Sequence, residues 1–417
     1  MGFFDKKPLE SMKKTESLVA KCGACGLYKS CRAPKMPVSG EGRKGILILS
    51  DFITNEEEQD GRRFTDSNGR YLRDVLGKYD IDLELDCWHY SSIICSKFGN
   101  PYPTADEVDY CRPNVMETIK TLNPRVIVPI GYSACKSLFQ PLYREDIGKL
   151  DQWLGWKIPL QKWNCWICPT YTPSSCIDPG RDARRIRKDY HEVNKVWFER
   201  HIESISNLSG RPWEVVPDWD SQIEVILDPD EAARRLRRIV EDGTGSVAFD
   251  YETTCLKPDN DGEIVSCAVC WNGVEMIAYP WMGMAIHATK WLLTSPIRKI
   301  GYNCAFESRW TMAKLGVEVN NFDHDGMLST HHLDNRENIC SAKFQGFVRL
   351  GLEPYDEEVK PYLIGEGGYG KNRIRDADIK KLLTYNGMDA IVEYFCAAQQ
   401  EKELEECLST TGHQERD

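Results

Sequence analysis

The sequence predicts an α/β protein of two domains, the first a three-layer α/β/α domain with a parallel sheet. Three observations predict it. The chain has 417 residues, too many for one ordinary core. From residue 21 to 200, apolar strand-like runs alternate with helical stretches. Towards the C-terminus, three separate short stretches carry carboxylates and a tyrosine suited to one site on a second sheet. The composition, 41% hydrophobic and 28% charged, is globular rather than disordered.

The elements follow in order. Residues 1–20 read as a short helix or mobile leader. Ile46–Leu49, Val126–Ile130 and the segment near Trp166 read as strands of the first sheet. Pro212, Pro217 and the pair Trp213 and Trp219 mark a linker or brace around 205–225. Asp228-Pro229-Asp230-Glu231 starts a helix that runs to about Glu241, with acids in its first turn. Gly243 and Gly245 lead into a strand ending at Asp250. The expected boundaries are 1–205, a linker and helix over 206–243, and 244–417. Tandem repeats are absent. Gly365-Glu-Gly-Gly-Tyr-Gly370 lacks the Gly-Lys-Ser/Thr of a phosphate loop and reads as a flexible loop.

No run of about 18 apolar residues exists, so no membrane span is expected. The start lacks the apolar core of a signal peptide, and Lys6 breaks a myristoylation pattern. A cytoplasmic location is the expectation. The net charge of −11 excludes a uniformly basic nucleic-acid binder but not a local basic face. Two basic runs have helical spacing, Arg181 to Lys188 (with Arg184 and Arg185) and Arg234 to Arg238. Each reads as a solvated helix face or a phosphate contact. Seventeen cysteines, an odd number, do not suit a disulfide framework. Metal or cluster binding by a subset, with the rest as buried thiols, is the better account.

The carboxylate-bearing stretches are Val247-Ala-Phe-Asp250-Tyr-Glu252, Gly301-Tyr-Asn303-Cys-Ala-Phe306-Glu307 and Tyr385-Asn-Gly-Met-Asp389. Asp250 and Glu252, two apart on a strand, share one face. Gathered carboxylates repel one another unless a cation neutralises them, and hard oxygen ligands suit Mg²⁺ or Mn²⁺. Two such ions can serve an in-line phosphodiester displacement. This ordered set resembles the proofreading 3′–5′ exonuclease domain of family A DNA polymerases, which belongs to the DEDD nucleases with an RNase H-like fold, and the resemblance implies a mixed sheet for the second domain. Asp250 and Glu252 match Asp-x-Glu. Asn303, Phe306 and Glu307 match Asn-x-x-Phe-Asp. Tyr385 and Asp389 match Tyr-x-x-x-Asp of the tyrosine branch. Asp325-Gly-Met-Leu328 resembles the stretch after the second motif. The resemblance implies that Asp250, Glu252 and Asp389 hold one metal, that Asp250 bridges to a second, and that Tyr385 orients the attacking water. Asn303 and Phe306 become nucleic-acid contacts. Glu307 departs from the family's Asp, and its extra methylene shifts a metal-proximal carboxylate, which puts full activity or the usual metal preference in doubt. Asp323 and Asp325 read as the start of the following helix.

Cys22-Gly-Ala-Cys25 and the distant Cys95 and Cys111 could bind Zn²⁺ or an Fe–S cluster, and spacing does not choose. The region from Cys22 to about Trp197 resembles family 4 uracil-DNA glycosylases. It shows the Gly40-Glu41-Gly42 turn, the Ile46–Leu49 strand and Glu57-Glu58-Gln-Asp-Gly61-Arg62-Arg-Phe64. Gly69, Leu72 and Asn123-Pro124-Arg125-Val-Ile-Val128 followed by Gly131 extend it. The resemblance implies that Cys22, Cys25, Cys95 and Cys111 ligate a [4Fe–4S] cluster. Cys31 is a possible substitute. Cys165-Trp-Ile-Cys168 and Cys267-Ala-Val-Cys270 read as core, because strand alternation puts each pair on opposite faces. The family's catalytic motifs are degenerate. Ser50-Asp51-Phe52-Ile53-Thr54 replaces Gly-Glu-Ala-Pro-Gly, Ser91 replaces the uracil-reading Asn, and Thr172 replaces the His of His-Pro-Ser. Losing all three is hard to reconcile with base excision.

The combined expectation is a metal-dependent 3′–5′ DNA exonuclease, joined to an Fe–S glycosylase-like module that binds DNA or protein. Few residues follow Asp389, so a polymerase encoded separately is the expected partner, with proofreading in trans in bacteriophage DNA replication or repair. The substrate expected is a single-stranded DNA 3′ end. Rival readings are a non-catalytic polymerase accessory factor and a uracil-DNA glycosylase.

Overall fold

The computed structural model describes residues 19–97, 102–144, 146–177, 188–259, 261–273, 275–365 and 370–411. Most of the 1–20 leader, Arg184 and Arg185, and the middle of the Gly365–Gly370 loop lie outside the described residues. The chain divides into two compact units. The first comprises Met1–Ile147 and Pro169–Asn207, the second Gly148–Cys168 and Leu208–Asp417.

In the first unit, β1 (Ile46–Ser50) pairs in parallel with β2 (Cys87–Ser91) on one side and β3 (Val126–Ile130) on the other. β3 is buried at every residue and β1 at the four apolar ones. Such continuous burial requires cover on both faces, as in the α/β/α arrangement the sequence predicts. The unit's longer helices are Ser67–Gly77, Ala105–Leu122, Tyr132–Leu142 and Lys188–Ser206, and Tyr132–Leu142 packs against β1 and β3. Their starts are encoded locally. Thr104 and Glu107 form a capping box, and Asp66 caps the helix at Ser67 through Gly69 N–H at 2.9 Å.

The second unit holds the short hairpin of β4 (Ile158–Leu160) and β5 (Cys165–Ile167). It also holds a six-stranded mixed sheet. Its strands are β6 (Glu224–Val225), β7 (Ser246–Thr253), β8 (Ile264–Trp271), β9 (Glu275–Pro280), β10 (Arg298–Gly301) and β11 (Phe322–Asp325), in the order β11-β10-β7-β8-β9-β6. β7, β8 and β9 form an antiparallel meander, while β10 and β11 continue the sheet in parallel.

Alternation along β7 sorts its side chains. Val247, Phe249 and Tyr251 enter one core with Ala232, Leu236 and Ile239 of the helix Pro229–Asp242 and with Leu292 of the helix Gly283–Thr294. Ala248 enters the opposite core with Leu383, Met388, Ile391 and Val392 of the C-terminal helix Ile379–Thr411. By the same period, Asp250 and Glu252 face the C-terminal helix. Cys267 and Cys270 of β8 also fall in opposite cores. The tryptophan pair behaves as a brace: Trp219 is buried, stacks on Phe395 at 5.2 Å and meets Trp213 edge-on.

Candidate functional site

Asp250 and Glu252 sit on β7, between β8 and β10. Asp389 comes to them from the C-terminal helix. One carboxylate oxygen from each of these three residues lies within 4.8 Å of the others. Burial first, and then Asp389, pushes the Asp250 carboxyl well above the usual carboxylate range. Burial followed by Asp250 and Asp389 does the same to Glu252. Three carboxylates this close cannot all carry charge without a cation.

The surrounding groups fix the set. Asn386 Nδ2 donates to Asp250 Oδ2 at 2.6 Å, and Ser266 Oγ donates to Asn386 Oδ1 at 2.8 Å. The Tyr355 hydroxyl donates to Asp389 Oδ1. Tyr385 lies one helical turn before Asp389 and is buried. Its hydroxyl accepts from Lys343 Nζ at 2.7 Å, and that ammonium sits 4.5 Å from the Tyr385 ring centroid and 3.9 Å from Asp389 Oδ2. Burial and then Asp389 hold the Tyr385 phenol protonated.

Glu307 occupies the first turn of the helix Cys304–Leu315 and is 2% exposed. The turn into that helix is held by Asp325, which accepts from Asn303 N–H at 3.0 Å and Cys304 N–H at 2.8 Å. Asn303 takes the left-handed conformation, φ 68°, which Asn tolerates well. Asp325 also caps the helix Gly326–Leu333, as the sequence predicts. Glu307 acts on Asp250 electrostatically but stands outside the close triad, and its Oε2 has no hydrogen-bond partner. Asn303 is exposed, while Phe306 is half-buried against Trp310. Arg234 and Arg235 are engaged by Glu231 and Glu224 respectively, so that basic run is partly neutralised.

Sequence reasoning missed Lys343, Tyr355, Asn386 and Glu393. Glu393 is buried with its Oε2 unpartnered, and burial followed by Asp250 and Glu307 raises its carboxyl well above the usual range. A signal for it existed, since residues 385, 389 and 393 repeat every helical turn. Lys343, Tyr355 and Asn386 gave none.

In the first unit, Cys22 and Cys25 on the short helix Cys22–Cys25, Cys95 beyond β2 and Cys111 in the helix Ala105–Leu122 line one cavity, with Leu27, Ile93 and Tyr110 among its walls. Lys35 N–H donates to Cys95 Sγ at 3.3 Å, and Asn114 Nδ2 to Cys111 Sγ at 3.6 Å. Burial pushes Cys95 up to about 12 and raises Cys111 and Cys25. Four clustered thiols, N–H donors to sulfur and an apolar wall fit a thiolate-ligated metal group, whose charge would supply the deprotonation. Cys31 reaches the Cys95 thiol but does not line the cavity.

The positions matching the family's catalytic motifs are occupied by internal contacts. Asp51 accepts from Ala134 N–H at 2.8 Å and from the N–H groups of Tyr132 and Ser133, at the start of the helix Tyr132–Leu142. Ser91 Oγ meets Ser50 Oγ at 2.9 Å and accepts from Arg63 Nε at 3.1 Å. Arg63 is 2% exposed and also donates to the carbonyls of Met36 and Pro37. Thr172 Oγ1 accepts from Ser174 Oγ at 3.0 Å.

Residues 40–197 match the uracil DNA glycosylase superfamily. Type-4 uracil-DNA glycosylases are similar to this region. That of Pyrobaculum aerophilum is 27% identical over 184 residues, covering 43% of this chain and 90% of its own. That of Thermotoga maritima is 29% identical over 198 residues, 46% of this chain and 96% of its own. Among solved structures, the catalytic core of RRP6 from Trypanosoma brucei matches with 13% identity and a TM-score of 0.34. The match covers 44% of this chain and 48% of that one, so the chain spans about half of it. No helix among the described residues is long and apolar enough to cross a membrane.

Proposed function

We propose that the second unit is a metal-dependent 3′–5′ exonuclease acting on DNA 3′ ends. It would supply proofreading in trans to a separately encoded polymerase, in a bacteriophage setting. The first unit would carry a [4Fe–4S] cluster on Cys22, Cys25, Cys95 and Cys111 and bind DNA or protein without excising bases. The observation that carries the nuclease reading is the convergence of Asp250, Glu252 and Asp389 oxygens within 4.8 Å on a buried face.

Asp250, Glu252 and Asp389 would hold one divalent cation, and Asp250 with Glu307 a second. When bound, such ions supply Lewis acidity to a phosphoryl oxygen and lower the pKa of water. Asn386 and Ser266 keep the Asp250 carboxylate from rotating. Tyr385 receives a hydrogen bond from Lys343, which leaves its own O–H to donate to a water or a phosphate oxygen. Held protonated, it orients rather than accepts the proton. Lys343 partly offsets the negative charge beside Asp389.

The test is purified full-length protein on a 3′-labelled and a 5′-labelled single strand, with Mg²⁺, Mn²⁺ or EDTA. Early release of the 3′ label, with stepwise shortening of the 5′-labelled strand and its loss in EDTA, is expected. Strands left intact with both metals would leave the accessory-factor reading. A uracil-DNA glycosylase is the second reading, favoured by the family match over residues 40–197. Its test is abasic-site formation in a uracil-containing oligonucleotide, which the contacts of Arg63, Ser91 and Thr172 argue against.

A further inference from the structure

Glu393 lies one helical turn beyond Asp389, so Tyr385, Asp389 and Glu393 share one face of the C-terminal helix. It is 3% exposed. Its carboxylate accepts the N–H of Tyr302, in the turn that launches the helix bearing Glu307. Its Oε2 has no hydrogen-bond partner, and neither does Oε2 of Glu307. Two buried carboxylates with one idle oxygen each are uncommon, because a buried polar atom nearly always finds a partner.

The charges around them divide the cluster into two ends. Lys343 acts on Asp250 and Glu252. The charged groups acting most strongly on Glu393 are Asp250, Glu307 and Asp389, all acidic. Those acting on Glu307 are Asp250 and Asp325, again acidic. The groups acting most strongly at this end are carboxylates.

We propose that Glu393 joins Glu307 and Asp250 as a protein ligand of a second divalent cation, distinct from the ion held by Asp250, Glu252 and Asp389. The proposal rests on the metal-site reading of that triad and adds a ligand that none of the three sequence motifs contains. Carboxylate oxygens alone make this a site for a hard cation such as Mg²⁺ or Mn²⁺. Glu307 comes from the helix Cys304–Leu315 and Glu393 from the C-terminal helix. The competing account is a protonated, purely structural Glu393, for which Gln is a close mimic.

Metal-free protein titrated with Mn²⁺, with free ion counted by electron paramagnetic resonance, separates the two. Thermal melting of the same samples checks folding and gives a second readout of metal binding. Wild type is expected to take up two ions. Glu393→Gln is expected to keep the first ion at unchanged affinity, lose the second and show a smaller Mn²⁺-induced rise in Tm. Glu307→Gln should behave the same way. If Glu393→Gln fails to fold, Glu393→Asp serves instead. It keeps the charge, withdraws the carboxylate and should weaken the second ion by about tenfold or more. Two ions bound with wild-type affinities by the folded variant overturn the role of Glu393 and leave the nuclease reading standing. A wild type that binds one ion overturns the second site alone, and one that binds none overturns both readings.

Discussion

The two units bury charged side chains to opposite ends. In the first, Arg63 is surrounded by acceptors from Ser91, Met36 and Pro37. In the second, Glu307 and Glu393 are as deeply buried, yet each leaves an oxygen without a partner. A buried charge that finds complementary groups inside the chain needs nothing from outside. A buried carboxylate facing other carboxylates is stable only as a neutral acid or with a cation. The difference teaches which unit is poised for an external ligand at its polar core and which has closed that core with its own residues.

The sharpest way to break this comparison is at Asp250. Asp250→Ala removes the carboxylate proposed to serve both ions. Nuclease activity should fall by at least about a thousandfold, with circular dichroism unchanged. Digestion of single-stranded DNA near the wild-type rate would move the site elsewhere.

The cysteine cavity is the exception within the first unit, since burial raises Cys25, Cys95 and Cys111 above the usual thiol range. Cys95→Ser or Cys111→Ser should remove iron and visible colour from anaerobically purified protein and destabilise the first unit. Nuclease activity should persist. Stoichiometric zinc without iron in the wild type would keep the ligands and replace the group. Colour and iron retained in both variants would remove these cysteines from the ligand set.

Glu307 offers a finer test. Glu307→Asp should keep or raise nuclease activity, and Glu307→Ala should lower it by about tenfold or more. Equal rates for all three proteins would separate Glu307 from the reacting atoms.

Much of this contrast was legible in the sequence, for reasons that differ by residue. β1 and β3 announced themselves as unbroken apolar runs, because sheets covered on both faces carry them. The period of two placed Asp250 and Glu252 on one face, and the period of a helix placed Tyr385 above Asp389. Glu393 followed the same helical period but belonged to no motif. Lys343, Tyr355 and Asn386 act through contacts between segments distant in sequence, which no local spacing encodes. Arg63 appeared in the sequence only as one residue of the run Glu57 to Phe64. That its guanidinium would reach Ser91 and the carbonyls of residues 36 and 37 follows from tertiary packing alone.

The smallest expected effect tests the closed core of the first unit. Burial pushes the Asp51 carboxyl from 3.8 up to about 6, and the three helix-start N–H groups only partly oppose it. A carboxyl raised in the folded state binds its proton more tightly folded than unfolded. Its contribution to stability is therefore fully present below the unfolded pKa and is lost as pH rises through the folded one. Between pH 4 and pH 7 the first unit should lose up to about 3 kcal/mol from this group, two pKa units at roughly 1.4 kcal/mol each. Asp51→Asn keeps an oxygen for the N–H groups and removes the titration. The expected result is a stability difference, mutant minus wild type, that grows in favour of Asn across that pH range in urea unfolding of the full chain followed by a first-unit probe. A difference that stays flat from pH 4 to pH 7 would mean that Asp51 is charged throughout, with the helix start outweighing its burial.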